Sequence, residues 1–129
     1  MIKTSVEHLG IAAKDTAALS EWYCRVFGFK EVYKGSKTPP TYIIASPQGG
    51  AMLEILPANE LGEEKNEGKQ GLRHFALTVE DIDAAKQILS ENGANIMYAK
   101  DASGGVKVLF FTDPEGNIVQ LIYRPNPLV

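Results

Sequence analysis

The sequence predicts an α+β fold built from two modules, each running strand, helix, strand, strand, strand. Three observations carry this. The chain repeats itself at an offset of 66 residues, so that Val6–Asp15 matches Leu72–Asp81. Both copies are apolar strand patterns that stop at an aspartate and open an amphipathic helix. Each helix is then followed by three short alternating runs separated by turn signals.

In the first module the helix runs from about Thr16 to Phe27. Asp15 is its N-cap, a carboxylate that accepts from free backbone amides. Leu19, Trp22, Tyr23, Val26 and Phe27 recur at helical spacing and give one apolar stripe. Gly28 suits the left-handed stop. Strands follow at about Lys30–Tyr33, Thr41–Ala45 and Ala51–Leu56. In the second module Asp81 caps a helix from about Ile82 to Glu91, with Ile82, Ala85, Ile88 and Leu89 as its stripe and Gly93 as its stop. Strands follow at about Ile96–Ala99, Val106–Phe111 and Ile118–Tyr123. Ser46-Pro47-Gln48-Gly49-Gly50 and Asp113-Pro114-Glu115-Gly116-Asn117 read as turns before the last strand of each module. Residues 1–129 are expected to form a single domain, with module one at about 5–57, a linker at 58–70 and module two at about 71–124. The linker is polar and reads as an exposed tether or a lid.

Composition narrows the partners. The chain has 129 residues, 44% hydrophobic and 22% charged, which is enough to bury a core without disulfides. Its net charge is −3, from 13 basic and 16 acidic residues, which argues against nucleic acid or an anionic membrane as partner. Cys24 is the only cysteine, so disulfides within the chain and Cys-rich zinc sites are excluded. No apolar run approaches the roughly 20 residues of a membrane span. Met1–Ser5 lead into a patterned strand and do not read as a signal peptide. A cytoplasmic protein is expected.

Strand alternation isolates four residues. His8 shares a face with Val6, Gly10 and Ala12, and Glu54 with Met52 and Leu56. His74 shares a face with Leu72 and Ala76, and Gln120 with Ile118 and Ile122. The opposite face of each strand is wholly apolar and suits packing beneath a helix. His8 and Glu54 are 46 residues apart, and so are His74 and Gln120, so the repeat maps one polar pair onto the other. A carboxylate or imidazole on an apolar face needs a partner or a metal. Two imidazoles, a carboxylate and an amide oxygen suit one divalent ion of the Zn, Ni, Co, Mn or Fe kind.

Several stretches carry a family resemblance. They are His8-Leu9-Gly10-Ile11-Ala12, Trp22-Tyr23, Phe27-Gly28-Phe29, Arg73-His74-Phe75-Ala76, Val79-Glu80-Asp81-Ile82 and Asp113 through Leu121. Over about Ser5 to Arg124 the chain resembles the vicinal oxygen chelate superfamily, the glyoxalase, bleomycin-resistance and dioxygenase fold. The resemblance implies two βαβββ modules forming a cupped, incompletely closed mixed sheet with helices on the outer face. It implies metal ligands on the first and last strands of each module, which are here His8, Glu54, His74 and Gln120. It also implies a glyoxalase-like enzyme, a lyase or isomerase related to lactoylglutathione lyase. Such an enzyme moves a proton on a small carbonyl substrate through an enediolate. A homodimer follows by analogy.

Two departures refine that expectation. Glyoxalase I usually has a glutamate base on its last strand, where this chain has Gln120. Glu54, at the pseudo-symmetric position, is then the expected base as well as a ligand. The arginine that glutathione-using glyoxalases carry shortly after the first-strand ligand is absent from Leu9-Gly10-Ile11-Ala12-Ala13, which argues against glutathione. Two alternatives stay open: an enzyme like methylmalonyl-CoA epimerase, and a metal-free binding protein of the bleomycin-resistance type. In the latter Trp22, Tyr23, Tyr42, Phe110 and Phe111 are candidates to line a cleft, although periodicity already explains them as core. Arg25, Arg73, Lys100 and Lys107 are candidate anion clamps that solvation equally explains. Cys24, in mid-helix with no base at hand, reads as inert.

Overall fold

A computed structural model describes residues 1–62 and 68–129. Part of the expected linker, residues 63–67, lies outside the described residues. The chain divides into two compact units, Met1–Gly62 and Glu63–Val129. The first holds β1 (His8–Ala13), α1 (Thr16–Phe27), β2 (Lys30–Lys34), β3 (Tyr42–Ala45) and β4 (Met52–Pro57). The second holds β5 (Phe75–Thr78), α2 (Ile82–Glu91), β6 (Asn95–Asp101), β7 (Lys107–Thr112) and β8 (Ile118–Tyr123), with a short 3₁₀ turn at Ser103–Gly105. The expected α+β order is present in both.

Each unit carries one mixed four-stranded sheet. The orders are β1-β4-β3-β2 and β5-β8-β7-β6. The last three strands of each unit form an antiparallel meander, and its final strand returns parallel to the first. Both sheets stay open, and no strand pairing among the described residues closes a barrel.

Both helices start as their sequences dictate. Asp15 Oδ1 accepts from the Ala18 amide and Asp81 Oδ1 from the Ala84 amide, each at 3.0 Å. Such caps are each worth about 1 kcal/mol. Helix α1 ends at Gly28, whose φ of 72° places it in the left-handed region that a side chain disfavours. Its N–H donates to the Cys24 carbonyl at 3.0 Å.

Helix α1 buries Leu19, Trp22 and Tyr23 against the apolar face of its sheet, where Ile11, Tyr42, Ile44, Leu53 and Ile55 lie. The Tyr23 ring meets Trp22 edge-on at 5.1 Å and Phe29 edge-on at 6.1 Å. In the second unit Ile82 and Leu89 of α2 are buried, as are Leu109, Phe111, Val119 and Leu121 of the sheet. The stripe expected on α2 is narrower than its spacing suggests, because Ile88 is 45% exposed. Val6 and Leu72, read as strand residues, precede β1 and β5 and are exposed. The opposite face of the second sheet also carries a buried cluster of Val108, Phe110, Ile118 and Ile122.

The turn before β8 is tied around a buried aspartate. Asp113 Oδ1 accepts from the amides of Glu115 at 2.9 Å and Asn117 at 3.0 Å, and the Asn117 side chain donates to both carboxylate oxygens. A carboxylate with this many donors is satisfied despite its burial. The knot fixes where β8 begins, and with it the position of Gln120. In the first unit Ser46 Oγ accepts from the Gln48 amide at 3.1 Å, a lighter version of the same device before β4. Among the described residues, no helix is long and apolar enough to cross a membrane.

Candidate functional site

The parallel pairing of first and last strands brings the expected polar residues onto shared faces. In the first unit Gly10 lies across from Glu54, and His8 stands two residues earlier on the same face of β1. His8 Nε2 is 3.7 Å from Glu54 Oε1. That is too long for a direct hydrogen bond. It is a spacing over which both atoms can reach one cation, since such bonds run to about 2.0–2.2 Å. On the other side of the ring, His8 Nδ1 lies 2.8 Å from Glu7 Oε1. A carboxylate only accepts, so Nδ1 carries the proton and the neutral ring presents its Nε2 lone pair toward Glu54. Metal-binding histidines are commonly oriented in this way by a carboxylate behind them.

The same contacts set the acidity of His8. The hydrogen bond to Glu7 raises it above the ordinary 6.5; desolvation opposes this, and the charges of Glu7 and Glu54 add to it. A histidine raised on folding contributes stability that is fully present below its unfolded value. That contribution is lost as pH rises through the raised value. In chelator-treated protein, ring NMR is expected to show His8 titrating above 6.5, with Glu7→Gln moving it back down. A His8 midpoint below 6.5 in the parent protein would contradict this geometry.

The second unit repeats the arrangement with different chemistry. Ala76 lies across from Gln120, and His74 stands two residues earlier, just before β5. The His74 ring meets Phe110 edge-on at 5.1 Å. Arg73 Nη1 lies 3.4 Å from His74 Nδ1, and the guanidinium sits over the Phe110 ring at 5.5 Å. Glu7 and Arg73 hold the same place in the two repeats, directly before each histidine, with opposite charge.

Two further residues join these faces through irregularities that the sequence pattern hides. A register shift between Glu31 and Tyr33 in β2 sets Tyr33 across from Ile43, and Ile43 is across from Glu54. A matching shift between Ile96 and Tyr98 in β6 sets Tyr98 across from Phe110, and Phe110 is across from Gln120. Each unit therefore has a transverse row: Tyr33, Ile43, Glu54, Gly10 and Tyr98, Phe110, Gln120, Ala76. The Tyr98 and Phe110 rings are 4.9 Å apart.

The structure brings His8 and Glu54 together. It places His74 and Gln120 on one face of the second sheet by register. Among the described residues, no three His, Cys, Asp or Glu side chains gather into a group that could hold a metal. Each unit offers only two ligands of the expected set, and one of the four is an amide. Of the cleft candidates, Trp22, Tyr23, Tyr42 and Phe111 are buried core, while Phe110 is buried on the His74 face. Arg25 donates to Glu21 at 2.9 Å along α1, and Lys100 and Lys107 are exposed. Burial pushes the Cys24 thiol up and keeps it protonated, which fits its reading as inert. Glu7, Tyr33 and Tyr98 were not legible as site residues. For Glu7 the available signal was its repeat position opposite Arg73.

Comparison with known proteins gives a consistent picture. Residues 5–121 match the model of the Glyoxalase/Bleomycin resistance protein/Dioxygenase superfamily. The chain is 30% identical over 121 residues to the uncharacterized protein YaeR of Escherichia coli K12, covering 90% of this chain and 93% of that one. A solved glyoxalase family protein from Enterococcus faecalis has a TM-score of 0.76 at 24% identity, covering 95% of this chain and 99% of that one. Lactoylglutathione lyase from Agrobacterium tumefaciens has a TM-score of 0.70 at 21% identity, covering 94% of each. At these identities the two structures bear on the fold alone.

Proposed function

Because the chain belongs to the Glyoxalase/Bleomycin resistance protein/Dioxygenase superfamily, we propose that it is a divalent-metal-dependent enzyme that transfers a proton on a small carbonyl compound. The observation that carries this reading is the His8–Glu54 pair. Its two donor atoms stand 3.7 Å apart, and Glu7 turns the His8 lone pair toward Glu54. The proposed ligands are His8, Glu54, His74 and Gln120, with residues 1–129 acting as one functional domain in a homodimer. The donor set of imidazole, carboxylate and amide oxygen fits Zn, Ni, Co, Mn or Fe. When bound, such an ion supplies Lewis-acid polarisation of a substrate carbonyl and so makes an adjacent C–H more acidic.

The chain's own residues supply the rest. Glu54 is the base: it takes the carbon-bound proton and returns it to the product. A carboxylate has two oxygens, so turning Oε1 toward His8 leaves it able to accept a proton. Gln120 holds the matching place in the second unit and cannot accept one, which leaves Glu54 as the only carboxylate base among the four. The side chain of Glu54 is half-buried between Met52 and Leu56, which limits water around the proton in transit. Gly10, across the strand from Glu54, has no side chain to fill the space beside it. A Cβ built there would meet only Leu56 Cδ1, at 3.7 Å.

Metal content by plasma mass spectrometry tests the reading. Untagged protein dialysed against Zn²⁺, Ni²⁺, Co²⁺ or Mn²⁺ is expected to retain close to one ion per chain. A His8→Ala, His74→Ala double variant is expected to retain none. A parent protein that retains no ion under any of these conditions would sink the enzyme reading and favour a metal-free binding role.

A further inference from the structure

We propose that Tyr98 is a substrate-contacting residue and that the compound bound carries an aromatic ring next to its reacting carbonyl. This rests on the metal reading above and adds a substrate class to it. Strand β6 is the last of the order β5-β8-β7-β6, so Tyr98 has no strand beyond it in that sheet. The register shift between Ile96 and Tyr98 decides which face its ring takes. Ile96 lies across from Phe111, on the core face, whereas Tyr98 lies across from Phe110. Strict alternation counted from Ile96 would have put Tyr98 on the core face as well. The extra residue, Met97, turns the tyrosine onto the face that carries His74 and Gln120.

On that face a single ring joins the site to the sheet edge. Phe110 meets the His74 ring edge-on at 5.1 Å and lies 4.9 Å from the Tyr98 ring at an interplanar angle of 31°. It also stands across from Gln120. Phe110 is only 4% exposed, so its own faces are taken; Tyr98, at 36%, is the ring of this row that a ligand can reach. The surroundings of Gln120 are apolar, with Ile118 and Ile122 on either side along β8 and Val108 across from Ile122 on β7. A flat apolar group suits such a face, and rings favour the offset and edge-on contacts that Tyr98 offers. A ring attached to a carbonyl held beside His74 and Gln120 extends along this row to Tyr98. The first unit lacks the arrangement. Tyr33 holds the matching place there, at 54% exposure, but its neighbour in the row is the aliphatic Ile43.

The test uses three hydroxymethyl ketones that differ only in the group on the carbonyl: 2-hydroxyacetophenone with a phenyl ring, cyclohexyl hydroxymethyl ketone with a saturated ring, and hydroxyacetone with a methyl group. All are uncharged, so Arg73 and Lys100 do not distinguish them. Dissociation constants are read by NMR titration of the full chain loaded with Zn²⁺, for the parent, Tyr98→Leu and Tyr98→Phe, with metal content measured on each preparation. The parent is expected to bind the phenyl ketone about 2- to 10-fold more tightly than the cyclohexyl ketone, the worth of one ring–ring contact beyond area burial. Tyr98→Leu keeps apolar bulk and should lose this preference, whereas Tyr98→Phe should keep it. Hydroxyacetone should bind all three proteins alike. The Tyr98 ring protons should shift with the phenyl ketone and much less with the cyclohexyl ketone. Equal affinity of the parent for the two ring ketones overturns the proposal, as does a phenyl preference that survives Tyr98→Leu. Hydroxyacetone weakened by Tyr98→Leu as much as the phenyl ketone makes Tyr98 structural only and overturns it too, as does no measurable binding of any ketone. Normal metal retention in those cases leaves the proposed function standing, whereas failure of the parent to retain metal overturns both.

Discussion

Glu54→Gln is expected to lower proton-transfer turnover by about 10²- to 10⁴-fold, the usual worth of a positioned general base. The substitution keeps the shape of the side chain and a carbonyl oxygen for a metal, and removes only the capacity to accept a proton. Gln120 already shows that an amide fits the corresponding place in a sheet of the same topology. Metal content should therefore fall much less than activity. Turnover of a carbonyl substrate by solvent proton exchange, read beside metal content on the same preparation, checks both halves of the expectation. Unchanged turnover with metal bound would remove Glu54 from the role of base.

Phe111→Ala is expected to destabilise the chain by about 3–5 kcal/mol, the usual cost of truncating a buried aromatic. The Phe111 ring is fully buried, at 0% exposure, in the second unit. It lies on the face of β7 opposite Phe110, across from Val119 of β8 and Ile96 of β6. Removing the ring leaves a cavity among Leu109, Val119 and Leu121, side chains that are themselves fully buried. Whole-domain stabilities are about 5–15 kcal/mol, so a loss of this size consumes a large share. Urea unfolding followed by circular dichroism reads the shift in midpoint. A loss below about 1 kcal/mol would mean that the second unit closes around the gap more easily than native packing allows.

Much of this molecule was legible in the sequence because it is written twice. The 66-residue repeat located both helices, their aspartate caps and the order of elements. Strand alternation put His8 with Glu54 on one face, and the structure sets them 3.7 Å apart. What stayed hidden involves single residues that break the pattern. The shifts in β2 and β6 each change which side chain meets the neighbouring strand, and alternation counted from the sequence cannot reveal them. Tyr33 and Tyr98 were therefore missed. Phe110 and Phe111 are both buried and differ only in face, so hydrophobicity alone could not separate the residue beside His74 from the core. Glu7 and Arg73 look like ordinary surface charges until the histidine nitrogens they meet are known.

The strand order in each unit has a consequence for how binding competence arises. The meanders β2-β3-β4 and β6-β7-β8 need only short-range pairings. His8 and Glu54 face one another only once β1 pairs with β4, which closes a loop through nearly the whole unit. Such closures carry the largest chain-entropy cost and weigh most on folding speed. An ion that binds only the paired strands adds its binding energy to that one costly contact. Metal would then act as a clasp on the most distant pairing of the first unit, and chelation would loosen β1 before it disturbed the meander.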